Sequence, residues 1–109
     1  MTVKEIQQAL GWTAFHVADP DRRVTGGYAG DLLSWVMGRA GQDCAWFTIM
    51  SNQNVAAVAL MADVACVVLT EGVQPDADLL RRAEEKEVTL LGTGEDTYAA
   101  VCRFHNCLK

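Results

Sequence analysis

An α/β fold is predicted, with a mostly parallel sheet and helices on both faces. Three observations carry that expectation. Residues 44–50, 64–70 and 88–91 are nearly continuous apolar runs, the pattern of strands covered on both sides. Segments of helical length separate them, so strands and helices alternate across short loops. Right-handed crossovers between parallel strands would then place helices on both faces.

Each element has a local reason. Thr2-Val3-Lys4-Glu5 reads as a capping box in which Thr2 and Glu5 satisfy early helix amides reciprocally. Val3, Ile6 and Leu10 give a one-sided helix that Gly11 stops. Residues 12–17 read as a strand, Asp19-Pro20-Asp21 as a loop, and residues 22–25 as a short extended piece. Thr25-Gly26-Gly27-Tyr28-Ala29-Gly30-Asp31-Leu32-Leu33-Ser34 reads as a strand end, a glycine turn and a helix start. Asp31 is expected at the N-cap of a helix that runs to about Ala40 and stops at Gly41.

After the strand at 44–50 comes a polar connection, Ser51 to Asn54, and a small-residue helix over 55–61. A second buried strand is expected over 64–70. Pro75-Asp76 opens a charged amphipathic helix to about Lys86 with Leu79, Leu80 and Ala83 inward. The strand at 88–91, a turn at 92–96 and a helix over 97–108 complete the chain.

Composition narrows the function. At 109 residues the chain is expected to be one domain, 1–109, with a single core. Fourteen acidic against nine basic residues give a net charge of −5, which repels phosphate backbones and argues against nucleic-acid binding. No apolar run is long enough for a membrane span, and the polar first ten residues do not read as a signal peptide. A cytoplasmic location is therefore expected, with Cys44, Cys66, Cys102 and Cys107 as reduced thiols.

The motifs weigh against catalysis. Gly26-Gly27-x-x-Gly30 approaches a dinucleotide fingerprint but has Thr25 where the first glycine belongs, and no P-loop Gly-Lys-Ser/Thr follows. Asp31 at a helix start would occupy the place of a phosphate. Cys102 and Cys107 on one helix would point about 140° apart, so they cannot converge on one ion. No Cys-x-x-Cys pair exists, and no metal or cofactor is expected. His16 and His105 lack a neighbouring nucleophile in any recognisable arrangement.

Two surfaces remain as candidates. The carboxyl ends of parallel strands commonly hold ligands, which nominates Gly26, Gly27, Tyr28, Asp31, Ser51, Asn52, Asn54 and Thr70, with Thr48, Glu71 and Thr93 on the same edge. The plainer expectation is that Ser51 or Asn52 caps the following helix. Trp35 falls roughly 120° from the inward stripe of its helix, which nominates Trp35, Met37 and Tyr28 for a homodimer contact. The run Arg81 to Glu87 reads as a solvated helix face.

Several of these features together resemble the DRTGG domain family. They are the Asp21-Arg22 pair, Gly26-Gly27-Tyr28-Ala29-Gly30-Asp31-Leu32-Leu33-Ser34, Asn54-Val55-Ala56-Ala57-Val58-Ala59, and the Gly72 to Pro75 stretch before an acidic helix. The resemblance extends from about Val3 to Phe104. The five residues that name the family are not contiguous, because Arg23 and Val24 separate Arg22 from Thr25.

The resemblance implies a three-layer α/β/α sandwich like the N-terminal domain of HPr kinase/phosphorylase, a non-catalytic domain. It also implies an accessory role in dimerisation or regulation beside metabolic enzymes, with stand-alone members found near iron-only hydrogenase genes. The expected function is a non-enzymatic regulatory or adaptor domain, a homodimer that binds a protein partner. The alternative is a sensor that takes a small polar, nucleotide-like ligand at the strand ends.

Overall fold

The predicted capping box forms. Glu5 N donates to Thr2 Oγ1 at 3.2 Å and Thr2 N to Glu5 Oε1 at 2.8 Å, starting α1 (Val3–Leu10). Gly11 ends it in the left-handed region at φ 67°, where only glycine is unstrained. The computed structural model describes residues 1–108. The chain continues through β1 (Thr13–His16), β2 (Gly26–Ala29), α2 (Leu33–Arg39), β3 (Cys44–Thr48) and α3 (Asn54–Ala62). Then follow β4 (Cys66–Leu69), α4 (Ala77–Lys86), β5 (Leu90–Gly92) and α5 (Thr97–Leu108).

The strands form one sheet in the order β1-β5-β4-β3-β2. β2 to β5 run parallel, and β1 joins β5 antiparallel. Successive parallel neighbours added in one direction must carry their right-handed crossovers on one face. Accordingly α2 packs on α3 and α3 on α4, while α1 and α5 pack together on the opposite face. The result is the expected three-layer α/β/α sandwich.

The apolar runs explain the two cores. In β3, Cys44 and Trp46 face the α2–α3–α4 layer while Ala45 and Phe47 face α1 and α5. Val67 and Leu69 of β4 alternate with Cys66 and Val68 in the same way. Period-two alternation with both faces covered leaves every residue of β3 and β4 buried. At the amino ends of these strands, Arg22 joins three segments. Its Nε and Nη2 donate to Asp43 Oδ1 at 3.0 and 2.8 Å, and Nη2 also meets Asp63 Oδ1 at 2.8 Å. Arg22 of the Asp21-Arg22 pair thus acts as a structural clamp.

Two sequence expectations are corrected. Gly26 to Ala29 is a strand paired with β3 in register Gly26↔Cys44 through Ala29↔Phe47, not a glycine turn. Glycine suits this edge because α5 lies close: a Cβ on Gly27 would stand 3.0 Å from the Phe104 ring. The second correction concerns Asp31, which caps no helix. The N-cap of α2 is Leu32, without a side-chain cap bond. Among the described residues, no helix is long and apolar enough to cross a membrane.

Candidate functional site

Asp31 instead ties the β2–α2 turn to the end of β3. Its Oδ1 accepts from Thr48 Oγ1 at 2.7 Å and from Ile49 N at 3.0 Å. Thr48 is almost fully buried, and its hydroxyl also accepts from Met50 N at 3.2 Å. The carboxylate went to the neighbouring strand because that strand ends in a buried hydroxyl and a free amide. Trp46 fixes the same turn from the other side, its Nε1 donating to the Gly30 carbonyl at 2.8 Å.

The Asp31 plug expected at the start of α2 is absent, and a carboxylate for which no such role was expected, Glu71, sits at the start of α5 instead. Loops after β4 and β5 leave the sheet toward opposite faces, since α4 and α5 occupy different layers. Such a divergence is where open α/β sheets hold ligands. Here Glu71 fills it. Thr97 N, at the start of α5, donates to Glu71 Oε2 at 2.9 Å, and Ala99 N donates to Asp96 Oδ1 at 2.8 Å. Thr70 Oγ1 and Thr97 Oγ1 lie 2.7 Å apart, while Glu71 N and Gly72 N donate to the carbonyls of Glu95 and Thr93. Glu71 and Gly72 both adopt positive φ, 63° and 74°, to make this junction. Two carboxylates on one helix start oppose an anion there.

Glu95 closes the junction outward. Its Oε1 receives Trp12 Nε1 at 3.1 Å, Thr93 Oγ1 at 3.2 Å and Arg103 Nη1 at 2.8 Å. The Arg103 hydrogen bond holds the Glu95 carboxyl below its ordinary range, with Trp12 and Thr93 adding to it against a modest burial penalty.

The nominated ligand residues divide among three places. Asp31 meets the start of the β3–α3 connection through Ile49, and Ser51 O in that connection accepts from Asp76 N at 3.0 Å. Asn52 Oδ1 accepts from Asn54 N at 2.9 Å in a local turn, but neither Ser51 nor Asn52 is the expected cap: the N-cap of α3 is Gln53, without a side-chain cap bond. Asn54 also lines a groove between α3 and α4. Thr70 is fully buried against Thr97, away from the others. Gly27 and Tyr28 line a cavity of about 140 Å³ between β2 and α5, together with Phe47, Val101, Phe104 and His105. Gly26 sits beside it at the start of β2.

The nominated interface residues share one flank. β2 is an edge strand, with a strand neighbour on one side only, and α2 is the outermost helix beside it. Trp35 is 51% exposed, Met37 38% and Leu32 59%. The Arg39 guanidinium lies 3.9 Å from the Trp35 ring centroid. Helical spacing places Trp35 off the inward stripe, but the open strand edge is not legible in the sequence, because three of the four residues Gly26-Gly27-Tyr28-Ala29 disfavour strands. The sequence nominates Glu71 only by its place on the sheet edge. No local pattern links Glu71 to a helix start that lies far along the chain.

Strand burial of the thiols holds for two of the four cysteines only. Cys44 and Cys66 are buried in adjacent strands, whereas Cys102 is exposed. Burial pushes the Cys66 thiol up to about 12. His16 Nε2 is buried without a hydrogen-bond partner among the described residues.

The DRTGG domain family model matches residues 36–107. That segment contains the Asn54 to Ala59 and Gly72 to Pro75 stretches, while the Gly26 to Ser34 run precedes it. No curated protein matches the chain. Among solved structures, the chain is similar to the CBS and DRTGG domains of the regulatory region of Clostridium perfringens pyrophosphatase, complexed with the activator diadenosine tetraphosphate. The TM-score is 0.72 at 13% identity over 94% of this chain. The chain spans 45% of that regulatory region, and at such identity the likeness is one of fold. Because the family model matches more than half of the residues, this chain belongs to the DRTGG domain family.

Proposed function

We propose that this chain is a non-enzymatic regulatory domain that works as a homodimer and offers a docking platform to a protein partner. One observation carries the reading: an unblunted edge strand lies beside half-exposed Trp35, Met37 and Leu32 on the same flank. Natural sheets protect edges with charge, proline or bulges. Gly26-Gly27-Tyr28-Ala29 has none of these, and its pairing with β3 is regular. Antiparallel β2–β2′ pairing about a two-fold axis would join two sheets and bring the α2 helices together. The carboxylates Asp31, Glu71 and Asp96, spent on their own backbone and hydroxyl groups, also favour a scaffold over a reactive centre.

Sedimentation velocity at micromolar concentration tests it. A dimer is expected, shifted to monomer by Trp35→Ala and by Gly26→Lys, whose added Cβ meets nothing within 4 Å. A monomer throughout, or a dimer that neither variant disturbs, would sink the reading.

A second reading, a small-ligand sensor, rests on the activator in the structurally similar regulatory region. Tyr28, whose ring lies against Gly30, would join Asp31, Ser51, Asn52 and Asn54 as its contacts, with Gly26, Gly27 and Thr70 outside that set. A nucleotide at a hundred times its dissociation constant should then add about 2.7 kcal/mol of stability, and Asp31→Ala should change that gain. No thermal shift with any nucleotide would leave the dimer reading standing alone.

A further inference from the structure

We infer that the groove between α3 and α4 is the docking site for an acidic amphipathic helix of a partner protein. The inference names the partner chemistry of the adaptor reading and rests on that reading, but uses a surface separate from the proposed dimer flank. α3 is apolar nearly all round, a composition expected of a helix covered on every side. Yet Leu60 is 51% exposed and Met61 70%. They border a groove of about 290 Å³ whose floor is Ala56 and Ala57 and whose far wall carries Arg82 and Lys86 of α4.

Charge identifies the occupant. The chain carries a net charge of −5, yet no carboxylate lines this groove. Arg82 and Lys86 stand one helical turn apart on the same face, and neither is in an ion pair among the described residues. Asp78, one helical turn before Arg82, is bound instead to Arg81 at 2.8 Å. One apolar wall and one cationic wall complement a helix with an apolar stripe flanked by Asp or Glu. α3 and α4 are nine and ten residues long, so about 13–15 Å of partner helix, two to three turns, fits along them. The alanine floor lets the visiting backbone approach closely, and methionine adapts to its side chains.

The test pans the intact chain against displayed peptides about three helical turns long, half patterned apolar/acidic and half apolar/basic. Enrichment of acidic peptides is expected, with binding weakened about tenfold or more by Arg82→Glu with Lys86→Glu and by Met61→Ser. Both sets are exposed positions, so the fold persists. Amide shifts on binding should fall on α3 and α4. Enrichment of basic peptides, of neither class, or binding that ignores these variants would overturn the inference. A Met61→Ser variant that turns a dimer into a monomer would also overturn it, since a second copy would then own the groove. Retained dimerisation with lost peptide binding in the Arg82/Lys86 variant separates this inference from the dimer reading; a monomer that still binds acidic peptides through α3 and α4 would sink only the dimer.

Discussion

Trp12, which leads into the edge strand β1, and Trp35, on the helix beside the opposite edge strand β2, are used in opposite ways. Trp12 is 2% exposed, packs edge-on against Phe47 at 5.8 Å, and gives its indole N–H to Glu95. Around it the chain spends its polar groups internally: Glu95 receives three donors, and Glu71 fills the start of α5. The edge strand on that side, β1, is irregular between Ala14 and His16, which discourages a further strand. Trp35 has half its surface in water, beside a regular, glycine-rich edge. The contrast locates the interaction capacity: one flank has closed on itself, and the other has unused backbone groups and apolar area.

Substitutions can break or sharpen this contrast. The largest effect is expected from Trp12→Ala, which should cost about 3–5 kcal/mol in urea unfolding. Trp35→Ala should cost the monomer within about 0.5 kcal/mol. Equal losses would erase the distinction between the flanks. Asp31→Ala comes next, at about 1–3 kcal/mol, because it strands the buried Thr48 hydroxyl and the Ile49 amide. Asp31→Asn, which keeps an acceptor oxygen, should lose less. A negligible loss in both would mean that the tie at the open flank is dispensable.

Glu71 allows a finer measurement. Glu71→Ala should cost about 1 kcal/mol by uncapping α5. Glu71→Gly loses the same cap but relieves the positive φ of 63°, so it should be close to neutral. The difference between the two reads the backbone strain stored at the closed junction. The smallest effect concerns pH. Glu95 is held below its ordinary range chiefly by Arg103, so its stabilisation is complete above the normal carboxylate pKa. It is lost as pH falls through the lowered folded value. Arg103→Gln should flatten that acid limb, by less than about 1 kcal/mol. An unchanged pH profile would remove Glu95 from the account.

Much of this was legible in the sequence where the controlling interactions are short-range. The capping box at Thr2, the stop at Gly11, the helix over Ala77–Lys86 and the buried β3 and β4 depend on neighbours within a turn or on simple alternation. Helical spacing alone places Trp35 off the inward stripe of its helix, and the side chain is 51% exposed. Strand ends were less legible. The third run was placed at 88–91, but the strand is Leu90–Gly92, because pairing with β1 and β4 sets its limits.

Sequence by itself determined the helices, the double-sided burial of the central strands and the α/β class, since periodicity and caps act locally. Only the tertiary structure decided that Gly26 to Ala29 would be a strand, because β3 supplies the hydrogen bonds that glycine's own preferences do not favour. It also decided which carboxylate closes which helix. Asp31 turned to Thr48, and Glu71 crossed the sheet's end to α5. Carboxylates go to the nearest unsatisfied buried donor, and which donor is nearest is settled only when distant segments pack together.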